Sequence, residues 1–264
     1  MIHYTVLIPQ RDAIDAVGHL LPRLEPLLER LILPYEFISV DDASQASSTA
    51  KWEPLLDRHP CLRVLQFDEP RGTSAALSAG IAAARGDLII AVAAQSRFRL
   101  QDIPQLIARL SSYDLVVARH EQTLDLELRD RLAGFPRLLA AHPQLHPAED
   151  LFWAARREAV AGLALGRGAF RMLPALVAKR GFRVCHLVLG EGLPARGVEY
   201  RLDPARRLAT TWLDRRFEPH LARELSRGEL AQPQRTMARG ELGRTRVLPQ
   251  TDFTPAKTDQ RGSA

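Results

Sequence analysis

The sequence predicts an α/β fold: a mostly parallel sheet flanked by helices. Three observations carry this. Short apolar runs that read as buried strands alternate with segments of helical period along the first half of the chain. The run at 87–94 is almost continuously apolar through Leu88, Ile89, Ile90 and Val92, as a central strand covered on both faces requires. And 264 residues, 46% hydrophobic and 25% charged, suffice for one large core with appendages.

Taken in order, Tyr4–Pro9 (YTVLIP) reads as the first strand. Ile14, Val17, Leu20, Leu24, Leu27, Leu28 and Leu31 then give a helical stripe that persists despite Pro22 and Pro26. Phe37–Val40 is a second strand ending at Asp41 and Asp42, 47–58 a helix, and Leu62–Phe67 a third strand. Thr73–Arg85 is a helix of small residues suited to close packing on a sheet. After the strand at 87–94, Gln101–Leu110 reads as a helix with Pro104 in its first turn, and Tyr113–Ala118 as a fifth strand. The pattern then loosens: Leu126–Ala141 is helical, Leu151–Ala155 strand-like, Arg156–Leu165 and Ala169–Lys179 helical, and Phe182–Val188 a last strand. The expected division is a domain over 1–203, a basic amphipathic helical extension over 204–231 and a disordered tail over 232–264, where no period is sustained.

Charge and cysteines bound the setting. The net charge is +5, but residues 1–166 carry an acidic excess and 167–264 a basic one. Such a field favours phosphates or an anionic membrane face. The segment 204–227, Arg-rich with Trp212 and Phe217, has the composition of a helix lying in a lipid interface. Nucleic acid is disfavoured: aromatic residues total only 6%, none interleaves with the arginines, and no helix-turn-helix, zinc-finger or RNA-binding signature is present. Cys61 and Cys185 lie far apart without a metal spacing. The expectation is a cytoplasmic protein, peripheral at the inner membrane face, because the apolar start MIHYTVLIPQRD is too short for a signal segment or a spanning helix.

In an open α/β sheet, ligands bind outside the carboxyl ends of the strands, which places Ala93, Ala94, Gln95, Ser96 and Arg97 at the crevice. Around them, in order, stand IPQRD (8–12), SVDDAS (39–44), RGTSAALSAGIAAARGDLIIAV (71–92), QDIPQLI (101–107), YDLVVARH (113–120), RREAV (156–160), FRMLPALVAKRGFRV (170–184) and RGVEY (196–200). Together these resemble the family-2 glycosyltransferases of GT-A fold, the nucleotide-diphospho-sugar transferase fold. Within that family the resemblance is to dolichol-phosphate mannosyltransferases and related polyprenyl-phosphate glycosyltransferases. It covers roughly residues 4–202.

The resemblance implies inverting transfer of a hexose from a nucleotide diphosphate sugar, GDP-mannose or UDP-glucose, to a polyprenyl phosphate. It implies nucleotide contacts at Pro9, at Asp41 or Asp42, at Arg71 and Gly72, and at Gln95. A carboxylate there suits the donors of a ribose or base, although an Asp pair after a strand also commonly satisfies turn amides. Arg119, Arg171 and Arg196 fall where the family supplies cations to phosphates, Arg171 and Arg196 toward the acceptor phosphate.

The departure lies at the end of the apolar strand. The family carries two metal-binding aspartates there, and this sequence has Ala93 and Gln95, followed two residues on by the cation Arg97. Alanine has no ligand atom and Gln95 offers only a neutral oxygen, so no metal cofactor is expected. Other family positions also differ: the asparagine and glutamate after the first strand are Asp12 and Ala13, a later acidic residue is Gln45 or Ala46, and the aspartate before the strand at 151–155 is His146 or Pro147. Two accounts follow. Either the active site has decayed and the fold persists as a binding protein, or Arg97, with Arg99, supplies fixed positive charge for metal-free catalysis. A basic membrane- or nucleic-acid-binding module on a borrowed fold is the remaining alternative.

Overall fold

A computed structural model describes residues 2–45, 49–96, 98–120, 151–163, 165, 169–189, 196–200, 235–239 and 245–248 of the chain. Strands β1 (Tyr4–Gln10), β2 (Tyr35–Asp41), β3 (Leu62–Gln66) and β4 (Leu88–Val92) are linked by α1 (Ile14–Glu29), α2 (Thr49–Arg58) and α3 (Thr73–Ala83). A 3₁₀ turn (Leu100–Asp102) and α4 (Ile103–Arg109) lead to β5 (Leu115–His120). Then come β6 (Phe152–Arg156), α5 (Arg157–Val160), a further 3₁₀ turn (Ala169–Met172), α6 (Leu173–Lys179), β7 (Val184–Leu189) and β8 (Arg196–Tyr200). Finally β9 (Arg235–Arg239) and β10 (Thr245–Leu248) are described.

These strands form one sheet in the order β10-β9-β3-β2-β1-β4-β6-β5-β7-β8. β1 to β4 are parallel, as are β5 and β7, so all six end on the same edge. β6 runs antiparallel between β4 and β5 and interrupts the simple alternation that the sequence suggested. Its first four residues, Phe152, Trp153, Ala154 and Ala155, are fully buried, a composition that suits an interior strand. Helices cover both faces. Val17, Leu21, Leu24 and Leu28 of α1 pack with Trp52 and Leu56 of α2 and with Ile103 and Leu106 of α4 on one side. Leu77 of α3, Val160 of α5 and Leu173 and Val177 of α6 occupy the other. The stripe read for α1 is the face it buries, and that packing carries the helix through Pro22 and Pro26.

α3 is buried on nearly all sides. Its small residues allow this: a Cβ on Gly80 would stand 3.1 Å from Leu7 Cδ2 and 3.3 Å from Val40 Cγ2, so the helix lies directly on β1 and β2. The exit from α3 is locked at the opposite edge from the crevice. Buried Glu36 accepts hydrogen bonds from Thr5 Oγ1 (2.8 Å), the Arg85 amide (2.8 Å) and Arg63 Nη1 (3.0 Å). Thr5 Oγ1 in turn accepts the Gly86 N–H at 2.9 Å.

Two sequence expectations are corrected and one strand is added. The helix expected over Arg156–Leu165 is the single turn α5, because Ala161 turns extended and Gly162 follows with φ 70°. The reading of 232–264 as a disordered tail does not hold at 235–239 and 245–248, where β9 pairs with β3 and β10 with β9. A strand added at a sheet edge needs little apolar surface, and Met237, fully buried, supplies it. β8 was not foreseen as a strand, since RGVEY is short and charged. The helices expected at 126–141 and 204–227 lie outside the described residues.

Two stability tests follow. A Cβ on Gly86 would fall 2.6 Å from the Thr5 amide nitrogen and 2.7 Å from the Tyr4 carbonyl carbon, both backbone atoms that cannot swing aside. Gly86→Ala is expected to destabilise the protein by about 2 kcal/mol in urea unfolding; a smaller loss would show that β1 and the α3 exit can separate. Conversely, Ile32, whose amide donates to the Glu29 carbonyl at 3.1 Å just past α1, holds φ 57° with its β-branched side chain 89% exposed. Ile32→Asn should raise stability by about 0.5–1 kcal/mol, read as an increased Tm.

Candidate functional site

The crevice opens where β4 parts from β1. β1 stays paired to β2 as far as Gln10 and Asp41, whereas its pairing with β4 stops at Leu7 and Ala91. This is also where the strand order reverses, the position at which open α/β sheets bind ligands. Pro9 lies buried on the stretch of β1 beyond that parting.

Beyond β1 and β2 two turns interlock. Asp12 and Ala43 both adopt positive φ, 53° and 54°, so each strand reverses sharply at its end. The Asp12 amide donates to Ser44 Oγ at 2.8 Å, and the Gln45 amide donates to Asp12 Oδ1 at 2.8 Å. Gln10 joins the clasp, its Oε1 accepting the Ala13 amide at 2.8 Å and its Nε2 donating to Ser44 Oγ at 3.4 Å. Strain of this kind persists where surrounding bonds over-determine the backbone, and here they do.

The two aspartates have different partners. Asp41, fully buried, accepts the Ser44 amide (3.1 Å) and hydroxyl on Oδ1 and Gln66 Nε2 (3.2 Å) on Oδ2. Asp42 receives the backbone amides of Arg71 at 2.6 Å and Gly72 at 2.9 Å, one on each carboxylate oxygen. Its carboxylate thus fills the amide cradle leading into α3, a cradle that in other proteins receives phosphate. Gly72 takes φ 87°, which a side chain would strain, and Arg71 is exposed with its guanidinium 5.9 Å from the Phe67 ring centroid.

At the end of β4 the chemistry is of another kind. The Ala93 amide donates to the Leu151 carbonyl at 2.9 Å, and the Ser96 amide to the Ala93 carbonyl at 3.1 Å, closing a turn that carries Gln95 into solvent. Phe98 then anchors the chain by stacking on Phe152, centroids 5.0 Å apart. The side chains at this turn, Ala93, Ala94, Gln95 and Ser96, offer no carboxylate, the ligand that divalent cations of this kind favour. Among the described residues no three His, Cys, Asp or Glu side chains gather where they could hold a metal. Arg97 lies outside the described residues. Arg99 is exposed and paired with Asp102 at 3.5 Å, so its charge already has a carboxylate partner.

Of the other predicted cations, Arg119 is buried, 1% exposed, near the carboxyl end of β5. Arg171 is exposed in the turn before α6, 5.8 Å over the Phe170 ring. Arg196 begins β8 opposite Val188, and its side chain is outside the described residues. Residues that the sequence did not single out also belong here: Gln10, Ser44 and Gln66 form the buried polar floor between the aspartates. Their only signal is a polar side chain at the end of an apolar strand.

The match to known proteins agrees with this geometry. The model of glycosyl transferase family 2 matches residues 10–160, more than half of the chain. The chain belongs to glycosyl transferase family 2. It is 31% identical over 122 residues to an uncharacterized glycosyltransferase of Synechocystis sp., covering 44% of this chain and 37% of that protein. It is 25% identical to the undecaprenyl-phosphate 4-deoxy-4-formamido-L-arabinose transferase of Pseudomonas paraeruginosa, over 73% of this chain and 58% of the other. It is also 24% identical to the dolichol-phosphate mannosyltransferase of Pyrococcus furiosus, over 73% and 57% respectively. The chain thus spans between about a third and three-fifths of the length of these curated relatives. Among solved structures, glucosyl-3-phosphoglycerate synthase of Mycobacterium tuberculosis with Mn²⁺, UDP and phosphoglyceric acid superposes with a TM-score of 0.54 at 19% identity, covering 94% of this chain and 87% of that one. Mannosyl-3-phosphoglycerate synthase of Rubrobacter xylanophilus gives 0.51 at 17% identity, covering 94% and 86%. The fold is therefore GT-A, an α/β sheet flanked by helices.

The Asp42 clamp is directly testable. Removing its carboxylate strands two partly buried amides, so Asp42→Ala is expected to cost about 1–3 kcal/mol of stability in urea unfolding. Stability equal to that of the unmodified protein would show that the two amides find other acceptors.

Proposed function

We propose that this protein binds a nucleotide diphosphate sugar without a divalent metal and has lost efficient sugar transfer, a catalytically degenerate member of its family. The observation that carries the reading is the contrast between the two halves of the crevice. On the β1 and β2 side, Pro9, Asp41, Asp42, Arg71 and Gly72 belong to an interlocked framework in which the strained turns and both carboxylates are fully engaged. On the β4 side, Ala93 and Gln95 stand where the family's metal-binding carboxylates are expected. A framework held this tightly is preorganised for a ligand, whereas the missing metal charge raises the barrier to departure of a diphosphate by several kcal/mol, about 10³-fold in rate. The solved relative that holds Mn²⁺ with UDP makes the nucleotide and metal pairing a property of that enzyme. On this reading the present chain keeps the first without the second.

A second reading, active metal-free transfer, is favoured by Arg119. A guanidinium that is always charged and shielded from water acts far more strongly on a diphosphate than an exposed one. In that reaction an acceptor phosphate oxygen attacks the anomeric carbon as its bond to the diphosphate breaks. The nucleoside diphosphate leaves and the configuration inverts. Arg97 and Arg119 supply positive charge to the departing diphosphate, with Gln95 donating a hydrogen bond from its amide. A phosphate acceptor is already ionised at neutral pH and needs no strong base. The relatives named for undecaprenyl phosphate and dolichol phosphate support a polyprenyl phosphate as acceptor, received by Arg171 and Arg196. No helix among the described residues is long and apolar enough to cross a membrane, so on this reading contact with lipid falls to the basic segment at 204–231.

Calorimetric titration of GDP, UDP and their sugar conjugates, with and without Mn²⁺, tests both readings. Micromolar binding that ignores Mn²⁺ and weakens about tenfold in Arg97→Ala, as loss of a charged hydrogen bond would produce, is the expected result. Turnover of a bound sugar nucleotide with a polyprenyl phosphate would select the second reading. Absence of binding to every nucleotide would overturn both.

A further inference from the structure

α3 is a helix of small apolar residues, yet it carries two buried serines one turn apart, Ser74 and Ser78. Serine brings no helix propensity and no apolar contact to such a position, so its hydroxyl must be engaged. Both hydroxyls face the chain that follows α5. Ser78 Oγ accepts the Leu165 amide at 3.0 Å and donates to the Leu163 carbonyl at 3.5 Å. Ser74 Oγ, on a residue only 2% exposed, accepts the Phe170 amide at 3.1 Å. The next residue is Arg171.

Topology makes the second bond the informative one. α3 begins where the chain leaves β3 at the carboxyl edge, and the turn Ala169–Met172 precedes α6, which returns the chain to the start of β7. Both segments therefore stand at the crevice edge, and the Ser74 bond holds one against the other. Phe170 packs on the core cluster of that face, and the Arg171 guanidinium lies over its ring, so backbone and ring together fix the base of the arginine while leaving its head exposed. Arg71, three residues before Ser74, is set in the same way over Phe67.

We infer that Ser74 is a positioning residue for the phosphate-binding arginine Arg171, fixing it against the start of α3 and hence against the nucleotide loop at Arg71 and Gly72. This rests on the reading of Arg171 as the residue that receives the acceptor phosphate. Ser78, which makes the same kind of bond farther from the crevice, has only a structural part.

The experiment is titration of farnesyl phosphate, a short polyprenyl phosphate, and separately of UDP and GDP into the full chain and its variants Ser74→Ala, Ser78→Ala, Arg171→Ala and the double variant Ser74→Ala with Arg171→Ala. Ser74→Ala is expected to weaken farnesyl phosphate about fivefold, with nucleotide affinity unchanged. Ser78→Ala should lower Tm comparably and leave both affinities alone. In the Arg171→Ala background the Ser74 substitution should cause no further loss of affinity, because its effect passes through the arginine. Equal farnesyl phosphate affinity in Ser74→Ala and the unmodified protein, or losses that add in the double variant, would overturn the inference while leaving the acceptor reading intact. Failure of the unmodified protein to bind farnesyl phosphate would remove the acceptor reading and the inference with it.

Discussion

The approach of α3 to the sheet is the constraint on which the rest of this molecule depends. A Cβ on Gly80 would press on the side chains of Leu7 and Val40, and this closeness puts the start of α3 against the ends of β2 and β3. Only with the helix seated at that depth can the amides of Arg71 and Gly72 meet the Asp42 carboxylate, and can Ser74 and Ser78 reach the chain beyond α5. The helix is a strut with three attachments: glycine toward the sheet, serines toward the covering segment, and backbone amides toward the crevice. Its low amphipathicity follows, since every face has a neighbour.

Most of the parallel core was legible because its physics is local. A run such as Leu88–Val92, short, apolar and preceded by Gly86, reads as a buried strand, and the stripe of α1 declares the face it buries even with two prolines inside it. What could not be read depends on partners distant in sequence. β6 reads as a strand by its apolarity, but its antiparallel insertion between β4 and β5 is a property of the whole sheet. β9 and β10 have almost no apolar signal because an edge hairpin borrows its stability from the strand it joins, here β3 through Met237. At the site, the aspartates after β2 stood out by type, while the roles that separate Asp41 from Asp42 follow from Gln66 and the α3 amides, which lie some twenty-five to thirty residues away.

The turns beyond β1 and β2 show how the site's rigidity is built without glycine. Asp12 and Ala43 hold conformations that cost side-chain-bearing residues of order 1–3 kcal/mol each. The cost is met by reciprocal bonds, the amide of one turn to the hydroxyl of the other and the amide of the second to the carboxylate of the first. Neither turn is stable in that form alone. The crevice floor is therefore a cooperative unit, and the buried polar cluster of Gln10, Asp41, Ser44 and Gln66 makes that unit specific in shape.

On the proposed reading, loss of carboxylates and gain of arginines at the β4 side are one electrostatic change rather than two. A divalent cation is held by paired carboxylates and is repelled by any guanidinium nearby, so a chain with Ala93 and Gln95 in place of acids and Arg97 two residues on disfavours the metal twice. The field that on this reading disfavours the metal would attract a diphosphate, whose own negative charge the metal would otherwise neutralise. On the proposed reading, an anionic nucleotide can therefore remain bound in a crevice that no longer admits a divalent cation, and affinity for the nucleotide becomes separable from power over its chemistry. Affinity needs only net positive charge near the phosphates. Catalysis needs that charge to strengthen as the bond breaks, and a fixed guanidinium does this only if its geometry matches the departing oxygens.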